Sequence, residues 1–186
     1  MPRPFLQLLL ALVLGLAASY YWEPQAGKAP DPETTARQKS LPKNYLDNTR
    51  TWSYNEQGQL TEIMEAANAE HFPQRNESLL EEPRFYSHHG DDRTWTAKAT
   101  RGKFLHKKQL LILRGGVEMV NDQTQAKLAS DAMTLNLVKK TAASRVPVMV
   151  TKGPHHTRAD GMLANLDSEK IRFIQNVESV YVQPQP

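Results

Sequence analysis

Small residues recur along this chain at a nearly fixed interval, and no other feature narrows its fold as much. Ala67-Asn68-Ala69, Ala97-Lys98-Ala99, Ala129-Ser130-Asp131 and Ala159-Asp160-Gly161 follow one another at steps of 30, 32 and 30 residues. Each is followed 16 to 19 residues later by a breaker, mostly with an apolar strand behind it: Pro83, Gly116-Val117, Pro147-Val148 and Asn176-Val177. Two strands per repeat is the simplest account. One such unit cannot bury its own apolar face, so successive units must stack or pair into a continuous sheet. The expected object is all-β: a long, twisted, antiparallel sandwich.

Alternation supports it. Leu111, Leu113, Val117 and Met119 share one parity, with Arg114 and Glu118 on the other. Ala129, Met133, Leu135 and Leu137 alternate with Ser130, Thr134 and Asn136, and Ile171, Phe173, Val177 and Tyr181 with Arg172, Asn176 and Glu178. Period-two patterning of this kind predicts half-buried strands, the last of them running unbroken from Ile171 to Val182. Turn chemistry marks the gaps at His89-Gly90-Asp91-Asp92, Asn121-Asp122-Gln123, Lys152-Gly153-Pro154 and Asp167-Ser168. Gly115-Gly116 reads as a bulge or tight bend inside a strand, and Gly58 as the φ > 0 residue of a turn after Thr51–Tyr54. Leu60–Phe72 is contested. Leu60, Ile63, Met64 and Ala67 fall at helical spacing in an Ala/Glu-rich stretch, whereas the repeat asks for a strand there.

The N-terminal residues have a different character. From Phe5 to Trp22, 18 residues, the stretch to Ala18 carries only Gln7 as a polar side chain. That is just long enough to cross a hydrocarbon core, and Tyr20, Tyr21 and Trp22 suit a membrane interface. A cleaved export signal with processing near Ala17, Ala18 and Ser19 is the other reading. With Arg3 on the cytoplasmic side, the body faces outward, which in a bacterium is the periplasm. Pro24, Pro30, Pro32 and Pro42 then punctuate a polar stretch that reads as an extended linker. The expected division is an anchor at 1–22, a linker at 23–45, a β domain at 46–183 and a tail at 184–186.

Chemistry is sparse. The chain has 23 basic and 20 acidic residues, no cysteine and no basic block longer than three residues, so nucleic acid, thiolate metal sites and thiol catalysis find no support. No phosphate-binding loop, dinucleotide fingerprint, nucleophile elbow or helical zinc-protease motif is present. His88-His89 and His155-His156 offer imidazoles, but adjacent residues of a strand point to opposite faces and chelate poorly. Asp91, Asp92, Asp131, Asp160 and Asp167 form no convincing catalytic pair. The expectation is a protein that is not an enzyme and uses no cofactor and no metal.

In order and spacing, several blocks together resemble the LptC family, the anchored periplasmic component of the bacterial lipopolysaccharide-export machine. They are the N-terminal anchor, the Pro-rich linker, Tyr54-Asn55-Glu56-Gln57-Gly58-Gln59-Leu60, Trp95-Thr96-Ala97-Lys98-Ala99, Leu113-Arg114-Gly115-Gly116-Val117-Glu118-Met119, Ala129 to Leu137 and Asp160 to Leu166. The resemblance implies a boat-shaped β-jelly-roll with an open apolar groove for lipopolysaccharide acyl chains, held at the inner membrane by a single-pass anchor. It implies docking N-terminally on the lipopolysaccharide ABC transporter and C-terminally on the soluble bridge protein LptA. On that footing Leu113, Met133, Leu135, Val148, Phe173 and Tyr181 are candidates for the groove. Tyr54, Gly58, Gly153, Val177, Val180 and Val182 are candidates for partner docking, Gly153 because it matches a glycine of the family. Strand parity places Val177, Ser179 and Tyr181 on the inner face, and Val180 and Val182 on the outer one. A structural adaptor that binds no lipid is the alternative.

Overall fold

The computed structural model describes residues 41–42, 44–89 and 92–182, together with 12 and 14. The expected anchor, linker and tail, and Gly90-Asp91 of the first marked turn, lie outside the described residues, apart from Leu12, Leu14, Leu41, Pro42, Asn44 and Tyr45. Contacts divide the chain at Ser40, and everything below concerns the unit from Leu41 onward.

That unit is all-β. Its strands are β1 (Asn44–Tyr54), β2 (Leu60–Phe72), β3 (Glu77–Glu81), β4 (Arg84–His89), β5 (Asp92–Lys98), β6 (Arg101–Leu105) and β7 (Leu110–Asn121). The second half adds β8 (Lys127–Asn136), β9 (Thr141–Ser144), β10 (Val148–Lys152), β11 (His155–Ala159), β12 (Gly161–Asn165), β13 (Lys170–Ile174) and β14 (Glu178–Val180). All 14 are joined by antiparallel pairing into one sheet. The contested segment is a strand: β2 pairs with β1 along its whole length. Its helical propensity, a few tenths of a kcal/mol per residue, loses to two ladders of hydrogen bonds and burial of Ile63, Ala66, Ala69 and Phe72.

The pairing shows what the repeat encodes. Along one edge of β2, Glu62–Glu65 pairs with β4 and Asn68–Phe72 with β3. The two branches rejoin on β7, whose Leu110–Arg114 pairs with β6 and Glu118–Asn121 with β5. β8 forks the same way, to β9 and to β10. Each rung of the sheet is therefore one strand bent, or two strands separated, at a corner. The rungs divide into two leaves: leaf A holds β3, β6, β9, β12 and β13, leaf B holds β4, β5, β10, β11 and β14, and β1, β2, β7 and β8 run through both. The small residues and breakers of the repeat, from Ala67 and Pro83 to Asp160 and Asn176, sit at these corners. Gly115 (φ 80) and Gly116 (φ 59) bend β7 at a register break, as a φ > 0 bulge requires. A side chain at Gly161 would place its Cβ 2.8 Å from the Ser144 carbonyl oxygen, so only glycine fits there. Backbone groups freed by the bends pair with the next rung, for example Thr100 N–H to Gly115 O at 2.9 Å and Glu82 N–H to Thr100 O at 2.9 Å.

Between the leaves lies a packed core. Cross-strand partners share a face, and the row Leu80–Gly102–Leu113–Met133 in leaf A faces Phe85–Ala97–Met119–Leu128 in leaf B. Leu111, Leu113, Leu128 and Leu135 are fully buried, each worth about 2 kcal/mol of transfer free energy. Opposite the corners, three polar contacts close the seam. Trp95 Nε1 donates to Leu166 O at 3.0 Å, Asn121 Nδ2 to Glu169 Oε1 at 2.9 Å, and Lys140 Nζ pairs with Glu62 Oε1 at 2.8 Å. Each joins a leaf B strand to a leaf A turn roughly four strands further along the sheet, so the leaves cross steeply as in orthogonal sheet packing.

The expected unbroken last strand does not form. Gln175 (φ 54) and Asn176 (φ 42) make the final corner, so the run divides into β13, paired with β12, and β14, paired with β11. Alternation is preserved across the corner, which is why the sequence pattern concealed it. The domain also starts slightly earlier than expected, because Asn44 and Tyr45 already pair with His71 and Glu70.

Candidate functional site

The steep crossing covers the middle of the sheet and leaves each end partly uncovered. At the N-terminal end, His71, Phe104 and His106 on leaf A are only half-buried. There Ser78 Oγ bridges His71 Nδ1 (3.0 Å) and His106 Nε2 (2.9 Å), and the two rings stand edge to face at 5.0 Å. Burial first, and the neighbouring His71 second, hold the His106 ring below the usual histidine pKa. At the C-terminal end, Val150 and Thr157 on leaf B are half-buried and Ser179 is exposed, although Leu128, Val150, Thr157 and Ser179 form one cross-strand row with Met119.

The strands at both ends have one unpartnered edge among the described residues. β1 pairs only with β2, β13 only with β12, and β14 only with β11. Such edges template pairing with another strand. Both carry exposed apolar side chains: Tyr45, Leu46, Trp52 and Tyr54 on β1, Ile174, Val177, Val180, Tyr181 and Val182 around β13 and β14. A cavity of about 740 Å³ lies beside β1, lined among others by Tyr45, Leu46, Leu79, Arg101 and Ile112.

The sequence-derived residues separate into three groups. Leu113, Met133, Leu135 and Val148 are all buried in the central core. Phe173 is half-buried, pairs with Met162 and continues the core row to the C-terminal end. Tyr181 differs from the inward-pointing expectation. It is 72% exposed and stacks flat on His155 with ring centroids 4.3 Å apart, because the leaf above does not reach it. Ser179 and Val180 do take opposite faces, as their parity predicts: Ser179 pairs with Thr157 on the core-side row and Val180 with His156 on the outer one. Gly153 (φ 57) turns β10 into β11 beside this end, and Val182 N–H donates to His155 Nδ1 at 3.2 Å. Val177 follows the last corner and is half exposed.

Tyr54 and Gly58 belong to the other end. Gly58 (φ 76) donates its N–H to Asn55 O at 3.0 Å in the turn between β1 and β2, and Asn55 Oδ1 accepts from Gln57 and Gln59 N–H. The twelve candidates thus occupy the middle and two opposite ends rather than one site. Sequence reasoning missed Tyr45, Leu46 and Trp52 of β1. The signal was the apolar pair Tyr45-Leu46 three residues after Pro42, masked by the linker composition before it. It also missed the His71, Ser78 and His106 cluster, whose members are far apart in sequence. Among the described residues no group of three or more potential ligands is placed to hold a metal ion, and no described helix is long and apolar enough to cross a membrane.

Comparison with known proteins agrees with this geometry. The family described as "Lipopolysaccharide-assembly, LptC-related" matches residues 9–182. Among solved structures, the chain is similar to LptH from Pseudomonas aeruginosa, described as the LptA-homologous periplasmic component of the lipopolysaccharide transport device. The TM-score is 0.56 at 8% identity, over 66% of this chain and 95% of that one. At that identity the likeness concerns the fold. Curated protein sequences give no match.

Proposed function

We propose a handover role from one premise: this chain belongs to the lipopolysaccharide-assembly, LptC-related family. Membership gives it a part in lipopolysaccharide transport. The finer reading is that it receives lipopolysaccharide from an inner-membrane ABC transporter at the β1 end and passes it to the periplasmic bridge protein LptA at the β13/β14 end. Residues 1–22 would anchor it in the inner membrane by a single pass, with the β domain in the periplasm. Acyl chains would lie between the leaves. Burying each CH₂ stabilises by about 0.8 kcal/mol, so binding requires no catalytic group.

The observation that carries this reading is the continuity of one apolar row with a free edge. Leu111, Leu135, Ala142, Ala164 and Ile171 run from the packed middle to the uncovered C-terminal end, with Phe173 beside Ile171 on the same face of β13, where the unpartnered sides of β13 and β14 offer backbone groups to another sheet. A photocrosslinker at position 173 is expected to capture lipopolysaccharide, and one at position 180 the bridge protein. Protein adducts at 180 without any lipid adduct at 173 would favour the adaptor reading, which the dense packing of the middle also accommodates.

A further inference from the structure

The cavity of about 740 Å³ beside β1 opens on the outer face of leaf A, away from the space between the leaves. Its side chains come from two cross-strand rows that alternate with the buried core positions. One row runs Tyr45, Glu70, Leu79, Lys103 and Ile112, the other Asp47, Asn68, Glu81, Arg101 and Arg114, on β1, β2, β3, β6 and β7 in turn. Charge divides across these strands. The three carboxylates of the lining stand on β1, β2 and β3, and its three cations on β6 and β7. Leu79 and Ile112, both half-buried, make the floor partly apolar.

Two details of the lining point to a missing partner. Arg101 and Arg114 are cross-strand partners, and like charges set directly opposite destabilise a sheet. Neither is within ion-pair distance of a described carboxylate, whereas Lys103 is engaged by Glu77 at 3.3 Å. Glu81 is the partner of Arg101 on its other side, yet the two do not close on each other. Asn68 Nδ2 donates to Glu81 Oε2 at 2.7 Å and draws that carboxylate toward β2. A gap is thus held open between a carboxylate and a pair of guanidinium groups.

We propose that this cavity binds the phosphoethanolamine headgroup of a glycerophospholipid, a ligand distinct from the lipid assigned to the space between the leaves. Two adjacent guanidinium groups offer N–H donors to more than one oxygen of a tetrahedral phosphate. The ammonium, joined to that phosphate through two carbons, reaches back over roughly one strand spacing, ~4.8 Å, to Glu81, with Asp47 and Glu70 adding negative potential beyond it. A free amino acid carries its ammonium and carboxylate on one carbon and falls short of that step. A headgroup without a cation leaves the carboxylates unanswered. The glycerol and the first acyl carbons pack on Leu79, Ile112 and the ring of Tyr45. The proposal is independent of the transfer reading, because it uses the opposite face of leaf A.

The test titrates the full chain, in a maltoside detergent, with dihexanoyl phosphatidylethanolamine, phosphatidylcholine and phosphatidylglycerol. Identical chains make partition into the micelle common to all three. Wild type is expected to bind the ethanolamine lipid about tenfold more tightly than the glycerol lipid, which has no cation. It should bind it about threefold more tightly than the choline lipid, whose ammonium has no N–H donor. Replacing Arg101 and Arg114 together by Gln should weaken the ethanolamine lipid about tenfold, and Glu81→Gln should bring the ethanolamine and glycerol lipids to similar affinity. All three side chains are exposed, so thermal unfolding should stay near wild type and the losses are losses of binding. No measurable binding, equal affinity of wild type for the ethanolamine and glycerol lipids, or unchanged binding by the double arginine variant overturns the proposal. So does free phosphoethanolamine binding as tightly as the lipid, which would make the cavity a site for a soluble phosphate ester.

Discussion

The two ends of the β domain hold their last rung with very different strength. β1 is 11 residues long, passes through its corner at Asn48 (φ 50) without interruption and matches β2 at ten positions. At the other end the rung is divided: β13 has five residues on β12, and β14 has three on β11. Each free edge offers hydrogen bonds to a partner, but the energy needed to displace it differs. β1 is fixed by a long ladder and by Arg50 paired to Glu65 at 3.1 Å. β14 depends on three register positions, the Thr157 to Ser179 hydroxyl contact and the His155 to Tyr181 stack. The lesson is that one end suits permanent attachment and the other an exchangeable one.

The largest expected effect tests whether the ends are independent at all. Trp95 is 2% exposed and ties leaf B to Leu166 across the seam. Trp95→Ala should cost about 3–5 kcal/mol through the cavity and the orphaned carbonyl. In urea unfolding of the full chain the loss should appear as one shifted transition. Two resolved transitions would show that each end folds on its own and would break the comparison at its root.

Next is Val180→Pro. Proline removes a backbone donor from a three-residue strand and fixes φ. Bridge-protein affinity should fall more than about tenfold, with under about 1 kcal/mol lost in folding, because little else depends on β14. Association with the transporter should be unchanged. Normal bridge-protein binding by this variant would remove β14 as the exchangeable edge.

Gly153→Arg should act more mildly on folding. Gly153 has φ +57, and a Cβ built there meets nothing within 4 Å. The cost is backbone strain alone, about 1 kcal/mol, yet the new charge stands beside Tyr181 and Val182. A thermal shift of a few degrees with weakened bridge-protein binding is expected, measured by calorimetry and titration. A fully unfolded variant would mean that the turn is tied to the core in a way its open surroundings do not indicate.

How far the sequence disclosed this molecule depended on whether a signal was periodic. Ala67, Pro83, Gly116 and Asp160 mark corners because a bend excludes large side chains, and that steric demand repeats with every rung. Leu113, Met133 and Leu135 were legible because pleating alternates faces. The break at Gln175-Asn176 was not, since a two-residue corner leaves the alternation in phase on both sides. The exposure of Tyr181 was not legible either, because parity fixes which face a residue takes but not whether the opposite leaf reaches over it. That depends on the crossing angle of the leaves, set by long-range contacts such as Asn121 to Glu169.

The smallest expected effect concerns the N-terminal end and its response to acid. His106 lies over Ser78 and His71, edge to face with Phe104 at 4.8 Å, and Glu77, already shared by Arg75 and Lys103, is on the adjoining strand. Burial, then the nearby His71, lowers its pKa in the folded state. The unfolded chain therefore takes up this proton at a higher pH than the folded one. Above the unfolded value, near 6.5, both forms are neutral and the group is without effect. As pH falls through that value the unfolded state binds more protons, so stability falls with it, and the loss is complete once pH is below the lowered folded pKa. Urea midpoints of the full chain should thus drop as pH falls from about 7.5 through the range in which the folded ring takes up its proton. His106→Gln should reduce that drop, because the amide cannot titrate. Equal drops in wild type and His106→Gln would remove the acid-sensitive element from the N-terminal end, and with it one of the differences between the two ends.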